Sequence, residues 1–260
     1  TGVTDTYNGG AIMASTEITL AEIFNENNYK TGIFGKWHLG DNYPSRPSDQ
    51  GFKESLIHLS GGIGQVGDFT NYYKGATSYY DPILWLNNKQ KKYNGYCSDI
   101  FTDEAIKFIE NNKDSPFFCY LSFNAPHTPL QVPEKYYQMY KDIDPINING
   151  ETLNMSEKNI LDAKKIYGMV TNIDENFGKL INKLDELKLK ENTIVIFMTD
   201  NGPQQPRYVS NLRGLKSQVY NGGIKVPFYL NYPIIHDEGT DLDFFSAHID
   251  VLPTITKLCN

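Results

Sequence analysis

Cysteine is scarce in this chain, which has 3 cysteines in 260 residues: Cys97, Cys119 and Cys259. Three are too few for a disulfide framework, and no two have the spacing of a metal-binding pair. Cys119 lies inside the apolar run 117–121, so we expect a buried core thiol there. The sequence therefore gives cysteine no role in crosslinking or in binding metal.

Long apolar runs and basic blocks are also missing. No segment approaches the roughly 18 consecutive apolar residues of a membrane-spanning helix, so we expect no membrane span. The chain has 24 Lys and Arg against 31 Asp and Glu, a net charge of −7, and no block of five or more basic residues. We therefore expect no general nucleic-acid partner, and any positive cluster must be local. No signal peptide opens the chain, but Thr1 does not look like a natural start.

Helices and strands alternate along the sequence, and 40% of the residues are apolar, enough for a substantial core. Strands are predicted at 31–35, 116–123, 193–198 and 224–230, the second as a central strand because its apolar run is continuous. Helices are predicted to begin at Ser15, at Ser98 or Asp99, near Pro133, at Ser156 and near Ile249. Residues 40–95 are typical of long loops with short strands that line a cleft. The alternation predicts one α/β domain with helices on both faces of its sheet.

The first candidate group, Lys36 and His38, follows the strand at 31–35. Residues two apart in an extended segment share a face, so we expect the two side chains to project together. A fixed cation beside a titratable ring suits an oxyanion. A surface lysine beside a structural histidine is an equally good interpretation of this segment alone.

His127 forms the second candidate, since it lies between Pro126 and Pro129 directly after a predicted buried strand. Prolines restrict the backbone on either side, so the imidazole is held stiffly at a strand end. Such a histidine is a candidate general acid or anion donor. A turn histidine that caps local carbonyls is the simpler alternative.

Asp200 and Asn201 follow the strand at 193–198 and offer hard oxygen ligands of the kind that Ca²⁺ or Mg²⁺ prefers. An ordinary Asx turn is the alternative. Lys216 lies in a loop that returns to the sheet and is a candidate third cation, or else a solvated lysine. The remaining histidines, His58, His236 and His248, have no comparable setting and are interpreted as structural or exposed.

Taken in this order, four segments resemble the type I sulfatase family, part of the alkaline-phosphatase-like superfamily. They are 31–40 with Lys36 and His38, 116–129 with His127, 199–202 with Asp200, and 212–228 with Lys216. A fifth segment, 250–254, resembles the approach to the late helix of that family. The resemblance implies an alkaline-phosphatase-like fold with a mostly parallel central sheet.

The resemblance also implies a mechanism. In such enzymes a cysteine in a Cys-x-Pro-Ser-Arg motif is oxidised to formylglycine, whose hydrate attacks sulfur while one divalent cation, usually Ca²⁺, neutralises charge. By position, Asp200 and Asn201 would ligate the metal, and Lys36 and Lys216 would bind sulfate oxygens. His127, with Lys216, would assist the leaving alcohol, and His38 would help to eliminate sulfate from the covalent hemiacetal.

Three departures from the family pattern stand out. The nucleophile motif and an N-terminal aspartate pair should lie upstream of Lys36, and neither is present. Residues 42–46 read Asn-Tyr-Pro-Ser-Arg, which imitates the motif with Asn for Cys on the wrong side of Lys36. Asn221 stands where the family often has Glu. We therefore expect 1–260 to be a partial catalytic domain, without the nucleophile segment and C-terminal subdomain of its parent, and without turnover of its own.

Two rival functions remain open at this point. One is a phosphoesterase or phosphonate hydrolase of the same superfamily, and the other is a non-catalytic anion- or glycan-binding homologue. The resemblance implies a small-molecule or glycan sulfate ester as substrate and a secreted or periplasmic location. Tyrosine-rich loops at 69–96 are candidates for stacking on sugar rings. Neither the substrate nor the oligomeric state is readable from the residues.

Overall fold

The computed structural model describes residues 12–59, 61–63, 79–148, 151–234 and 239–259. Its strands are β1 (Lys30–Lys36), β2 (Glu54–His58), β3 (Ile83–Leu86), β4 (Lys89–Lys92), β5 (Phe117–Ser122), β6 (Asn147–Ile148), β7 (Glu151–Thr152), β8 (Val195–Met198) and β9 (Phe228–Asn231). Its helices are α1 (Leu20–Glu26), α2 (Cys97–Asn111), α3 (Glu134–Tyr140), α4 (Glu157–Glu186), α5 (Asn221–Ile224) and α6 (Val251–Leu258). Short 3-10 turns lie at Pro47–Asp49, Lys190–Asn192 and His248–Asp250.

The main sheet has five strands in the order β4-β3-β2-β1-β5. Strand β1 pairs in parallel with both β2 and β5, and β3 pairs antiparallel with β2 and with β4. Four of the five strands therefore run in the same direction, which confirms the predicted mostly parallel sheet. Two further antiparallel pairs, β6-β7 and β8-β9, form separate two-stranded sheets.

Alternate residues of β1 and β2 supply two cores, one on each face of the sheet. Phe34 and Leu56 belong to a large cluster built with α2 and α4, whereas Ile33 and Ile57 belong to a smaller cluster that includes Ala21 of α1. Helices therefore cover both faces, as predicted. No helix among the described residues is both long enough and apolar enough to cross a membrane.

Strand β5 differs from its prediction as a central strand. Among the described residues it pairs along one edge only, with β1. Its run is apolar because both of its faces are covered: Phe117 and Leu121 pack on the large cluster and Phe118 packs on the small one. Coverage of the two faces, rather than pairing of both edges, explains the continuous hydrophobicity.

The helix starts agree with the sequence where a capping side chain is clear. Ser156 caps α4 by accepting the Asn159 N–H, as predicted, whereas α1 begins later than predicted. Its cap is Thr19, which forms a reciprocal capping box with Glu22, because a Glu three residues after the cap can return the bond. By contrast, α2 begins slightly earlier than predicted, at Cys97.

The predicted last strand and the predicted core cysteine both differ in detail from the structure. The predicted strand at 224–230 is divided, since the short helix α5 takes its first residue and β9 begins at Phe228. Cys97 is buried, and burial raises the pKa of the Cys119 thiol to about 12, so Cys119 does not form a reactive thiolate at neutral pH. Cys119 packs against the large cluster as predicted, but it is half-buried rather than fully buried.

Strand β1 ends in an unusually close approach to β5. Gly35 has φ +133°, and a Cβ built on it would lie 1.9 Å from the backbone oxygen of Ser122. Only glycine combines that backbone angle with that contact. The position immediately before Lys36 is thereby fixed as glycine.

We predict that Gly35→Ala lowers the free energy of unfolding by at least about 3 kcal/mol, because the strands must separate and the backbone is strained. Gly178→Ala is the matched control. Gly178 lies in α4, and a Cβ there meets nothing within 4 Å. Alanine in the control should therefore stabilise by about 0.5–1 kcal/mol. Urea denaturation of both variants measures the contrast, and equal effects would contradict the steric argument.

Candidate active site

Lys36 is the last residue of β1 and lies beside His58 in the parallel ladder with β2. Its backbone oxygen accepts a hydrogen bond of 2.8 Å from the Ser122 hydroxyl, so β5 fixes it from the other side. Burial lowers the pKa of Lys36, Asp200 opposes that shift, and Lys216 adds to it. The ammonium group thus lies within electrostatic reach of both residues, although they are far away in sequence.

His127 is held by three contacts in the turn after β5. Its backbone N–H donates to the Asn124 oxygen at 2.9 Å, and its backbone oxygen accepts from the Tyr79 hydroxyl at 2.8 Å. Its Nδ1 lies 2.9 Å from the Thr128 carbonyl oxygen. Because a carbonyl can only accept, Nδ1 carries the proton in that contact, and Nε2 is left as the atom for a ligand.

The imidazole of His127 shares the electrostatic surroundings of Lys36. Burial is the largest cause of its lowered pKa, and the charges of Lys36 and Lys216 lower it further. The Thr128 carbonyl and the Asp200 carboxylate act in the opposite direction. Lys36, His127, Asp200 and Lys216 are therefore electrostatically coupled; the first three lie at or just after the ends of β1, β5 and β8, and Lys216 lies in the loop before α5.

Backbone contacts between glycines hold Lys216 near Asp200. The Lys216 N–H donates to the Pro203 oxygen at 2.8 Å, and the Gly202 N–H donates to the Gly223 oxygen at 2.9 Å. A Cβ on Gly202 would lie 1.9 Å from the Gly222 oxygen, so the two segments touch along their backbones. The loop after β8 and the loop before β9 therefore form one layer that carries both side chains.

Asp200 and Asn201 have a geometry that suits a partial cation site. The Asn201 amide donates through Nδ2 to the Gly202 oxygen at 2.8 Å, which leaves its Oδ1 available. Asp200 accepts the Asn201 N–H through Oδ1 at 2.9 Å. These are hard oxygen donors of the type that Ca²⁺ takes. The described part of the chain contains no group of three or more His, Cys, Asp or Glu able to hold a metal, so this pair alone is not a complete ligand shell.

His38 does not lie in an extended segment, in contrast to the sequence argument. Its φ is +56°, a left-handed conformation, and its N–H donates to the Leu59 oxygen at 3.1 Å. The ring lies against Gly61, where a Cβ would come within 2.5 Å of the ring carbon Cε1. His38 is therefore positioned by a turn and by the loop after β2. The prediction that Lys36 and His38 project together because they are two residues apart in an extended segment is wrong in its reason.

His58 is the neighbour that sequence reasoning passed over. It is fully buried and, among the described residues, neither ring nitrogen has a hydrogen bond of good geometry. Burial lowers the pKa of His58 to about 3, and the charges of Lys36, His127 and His38 contribute to the shift, while Asn124 opposes it. A neutral imidazole thus lies behind three basic groups. Only its position opposite Lys36 in the β1–β2 ladder indicates that His58 belongs to the site, and that position cannot be known before the strand pairing is known.

Asn124 and Tyr79 are two further residues whose importance only the fold reveals. The Asn124 amide donates to the Tyr79 hydroxyl at 2.6 Å, and that hydroxyl donates to the backbone of His127. Tyr79 has no exposed surface. These two hydrogen bonds stabilise the turn that carries His127.

The remaining candidates are two histidines, the tyrosine-rich loops and the segment 42–46. His248 is exposed, and its Nε2 lies 2.9 Å from the Thr199 oxygen, next to Asp200. His236, and residues 69–78 of the tyrosine-rich loops, lie outside the described residues. Within the segment that imitates the nucleophile motif, Arg46 makes a two-pronged contact with Asp49 at 2.7 and 2.9 Å, a structural ion pair.

Comparison with known proteins gives a consistent result over nearly the whole chain. The family model described as Sulfatase matches residues 2–260. An uncharacterized sulfatase of Escherichia coli (strain K12), YdeN, is 30% identical over 83% of this chain and 39% of its own length. The ulvan-active sulfatase of Formosa agariphila is 28% identical over 95% of this chain and 47% of its own length.

A solved structure shows the same architecture. The crystal structure of Ps i-CgsB in complex with k-i-k-neocarrahexaose superposes with a TM-score of 0.81 and 29% identity, over 98% of this chain and 57% of that one. The chain therefore spans about half the length of the relatives it matches.

We predict that stability falls with acid in a way that depends on His58. Its pKa is about 3 in the folded chain, against 6.5 for an unperturbed histidine. The unfolded state therefore takes up a proton first, and as the pH falls from 6.5 toward 3 this group destabilises the fold by up to about 1.4 kcal/mol per pH unit. Above pH 6.5 it contributes no pH dependence.

Urea denaturation between pH 4 and 8 tests this prediction on the wild type and on His58→Gln. The variant should lose that part of the slope, whatever its absolute stability, because the carboxylates titrate alike in both proteins. Parallel curves would show that His58 is not held neutral.

Proposed function

The chain belongs to the sulfatase family, and we propose that it forms part of the catalytic domain of a sulfuric ester hydrolase. The whole protein would cleave sulfate esters by a formylglycine- and divalent-metal-dependent mechanism. One observation supports the proposal: besides burial, the Asp200 carboxylate and the Lys216 ammonium both affect the lowered pKa values of Lys36 and of His127, so the four side chains lie near one another. An excess of positive charge at the strand ends suits a substrate with an oxyanion.

The two lysines are proposed to bind sulfate oxygens. A sulfate ester carries its charge on non-bridging oxygens, and fixed cations stabilise that charge as the sulfur–oxygen bond breaks. Burial lowers the pKa of Lys36, so its ammonium is poorly hydrated and interacts strongly with an anion. Lys216 would approach the same anion from the opposite loop.

His127 is proposed as the group that assists the leaving alcohol. Its Nδ1 is occupied by the Thr128 carbonyl, so Nε2 would hold the proton that passes to the departing oxygen. Lys216 would support that oxygen electrostatically. His38, fixed in its left-handed turn, would hold or accept a proton during release of the product sulfate.

Asp200 and Asn201 are proposed ligands of one divalent cation, with Ca²⁺ as the expected metal. A bound cation would neutralise sulfate charge and lower the barrier to attack at sulfur. The free Oδ1 of Asn201 supports this role. The nucleophile itself would come from a part of the whole protein that has the Cys-x-Pro-Ser-Arg motif, since none of the three cysteines here is followed by that pattern.

A glycan sulfate ester is the proposed substrate class. Two of the relatives are named for ulvan or solved with neocarrahexaose, and each is 28–29% identical to this chain. Enzymes that act on such polymers work where the polymers are, so a secreted or periplasmic location is part of the proposal.

Turnover assays test the activity. Protein that includes this chain and the nucleophile motif should release sulfate from p-nitrophenyl sulfate, and Lys36→Gln or Lys216→Gln should lower kcat/KM by roughly 100- to 1,000-fold. Lys225→Gln, a change at an exposed lysine of the same loop region, is the control and should have little effect.

Two results would contradict the proposal. Preferential cleavage of p-nitrophenyl phosphate would favour a phosphoesterase, and full activity of both lysine variants would remove the proposed roles. The 260-residue chain assayed alone should show no turnover, because it has no nucleophile motif.

Calcium binding can be tested without activity. We predict that Ca²⁺ raises the thermal midpoint of the chain, since a ligand present at about ten times its Kd stabilises the fold by about 1.4 kcal/mol. Asp200→Ala should abolish the shift, whereas Asp185→Ala, at an exposed carboxylate of α4, should retain it. Differential scanning calorimetry with and without EDTA measures both, and an unchanged shift in Asp200→Ala would refute the ligand assignment.

A further inference from the structure

A second candidate binding site lies beyond the histidine turn. It is a cavity of about 400 Å³ between the segment that follows His127 and the helices α3 and α4. Its polar and aromatic walls come from Tyr80, Gln131, Glu134, Tyr137 and Lys165. The volume lies within the range of pockets that hold small ligands.

The cavity wall is tied to the histidine turn through Tyr79. The Tyr79 N–H donates to Oε1 of Gln131 at 2.9 Å, and the Tyr79 hydroxyl donates to the His127 oxygen at 2.8 Å. From the far side, the Tyr96 hydroxyl donates to the Gln131 backbone oxygen at 2.8 Å. One buried tyrosine therefore fixes the position of this wall relative to the candidate catalytic imidazole.

The two charged residues of the cavity, Glu134 and Lys165, differ in whether they already have a partner. Glu134 is engaged, because it accepts a hydrogen bond from Gln138 and, second to burial, raises the pKa of Tyr80. Lys165 is half-buried and has no ion pair within the described residues. The neighbouring Lys164, by contrast, donates to the Lys141 oxygen at 2.7 Å. The cavity thus offers one available cation beside two phenol rings.

This combination matches a sugar ring that carries an acidic substituent. Tyrosine presents an apolar face to the C–H groups of a sugar and a hydroxyl to its oxygens. The amide of Gln131 and the ammonium of Lys165 add a fixed polar rim, and a half-buried cation favours an anion as its partner. A purely apolar ligand would cover Lys165 without giving its ammonium group a partner.

We propose that this cavity is a subsite for a sugar unit of a sulfated glycan, distant from the scissile ester, with an anionic group of that unit at Lys165 and its ring against Tyr137. The inference rests on the proposed function, because it extends the substrate from one ester to a polymer. It locates the recognition of the polymer on α3 and α4.

Affinity electrophoresis tests the charge component on the chain itself, without any need for turnover. The probes are carrageenan, ulvan, heparin and chondroitin sulfate, cast in native gels. On the polymer that retards the wild type most, Lys165→Gln should raise the apparent Kd by about three- to tenfold. Lys164→Gln, one residue away on the same helix, should change it little. Equal losses in the two variants would indicate general charge attraction and would overturn the proposal.

The ring component has its own matched pair on α3. Tyr137→Ala should weaken binding by about tenfold. Tyr140→Ala should not, because Tyr140 does not line this cavity: its hydroxyl lies 2.6 Å from the Thr171 hydroxyl, and both residues line a separate depression. Thermal midpoints of all four variants separate lost binding from lost folding. No binding to any of the four polymers, or binding insensitive to both Lys165 and Tyr137, would overturn the subsite.

The subsite and the proposed function fail in different ways. In the whole protein, Lys165→Gln should raise KM for the sulfated polymer and leave kcat/KM for p-nitrophenyl sulfate unchanged. Loss of both would place Lys165 in the reaction itself and contradict the subsite. Cleavage of the aryl ester with polymer kinetics unaffected by Lys165→Gln would refute the subsite and leave the sulfatase assignment intact.

Discussion

Three basic side chains, Lys36, His127 and Lys216, lie near one carboxylate, Asp200, and this local excess of positive charge is the constraint on which the candidate site depends. Lys36 and His127 are partly withdrawn from water; Lys216 lowers the pKa of both, Lys36 also lowers that of His127, and the Asp200 carboxylate opposes the shift of each. Such an arrangement is costly without an anion and favourable with one. The fully buried His58 fits the same constraint, since it remains neutral where a further positive charge would be least tolerated.

Close backbone packing maintains this arrangement. Gly35 lets β1 meet β5 immediately before Lys36, and Gly202 lets the loop after β8 lie directly on Gly222. Both contacts exclude any side chain, so the positions of the charged groups follow from main-chain geometry rather than from flexible surface loops. The lysines are held in place by the same hydrogen-bond ladders that make the fold.

Local patterns in the sequence predicted the elements that depend on local forces. Strand β1 and the cap of α4 at Ser156 each follow from residues close together in the chain. The sequence could not indicate that β5 pairs along one edge only among the described residues, that His38 adopts a left-handed backbone, or that His58 lies beside Lys36. Those features arise when strands about twenty to ninety residues apart pair, and only strand register reveals them.

The charged groups near the strand ends and the cavity lined by α3 and α4 differ in how readily their residues can be substituted. Lys36 and Asp200 are positioned by backbone contacts that tolerate no added side chain at Gly35 and Gly202, whereas one side of the cavity, with Tyr137 and Lys165, is formed by the surfaces of α3 and α4. Helix surfaces accept substitution without a change in backbone path. If the proposed subsite binds a polymer, substitutions on α3 and α4 would change which polymer binds while the charged groups near the strand ends keep their positions.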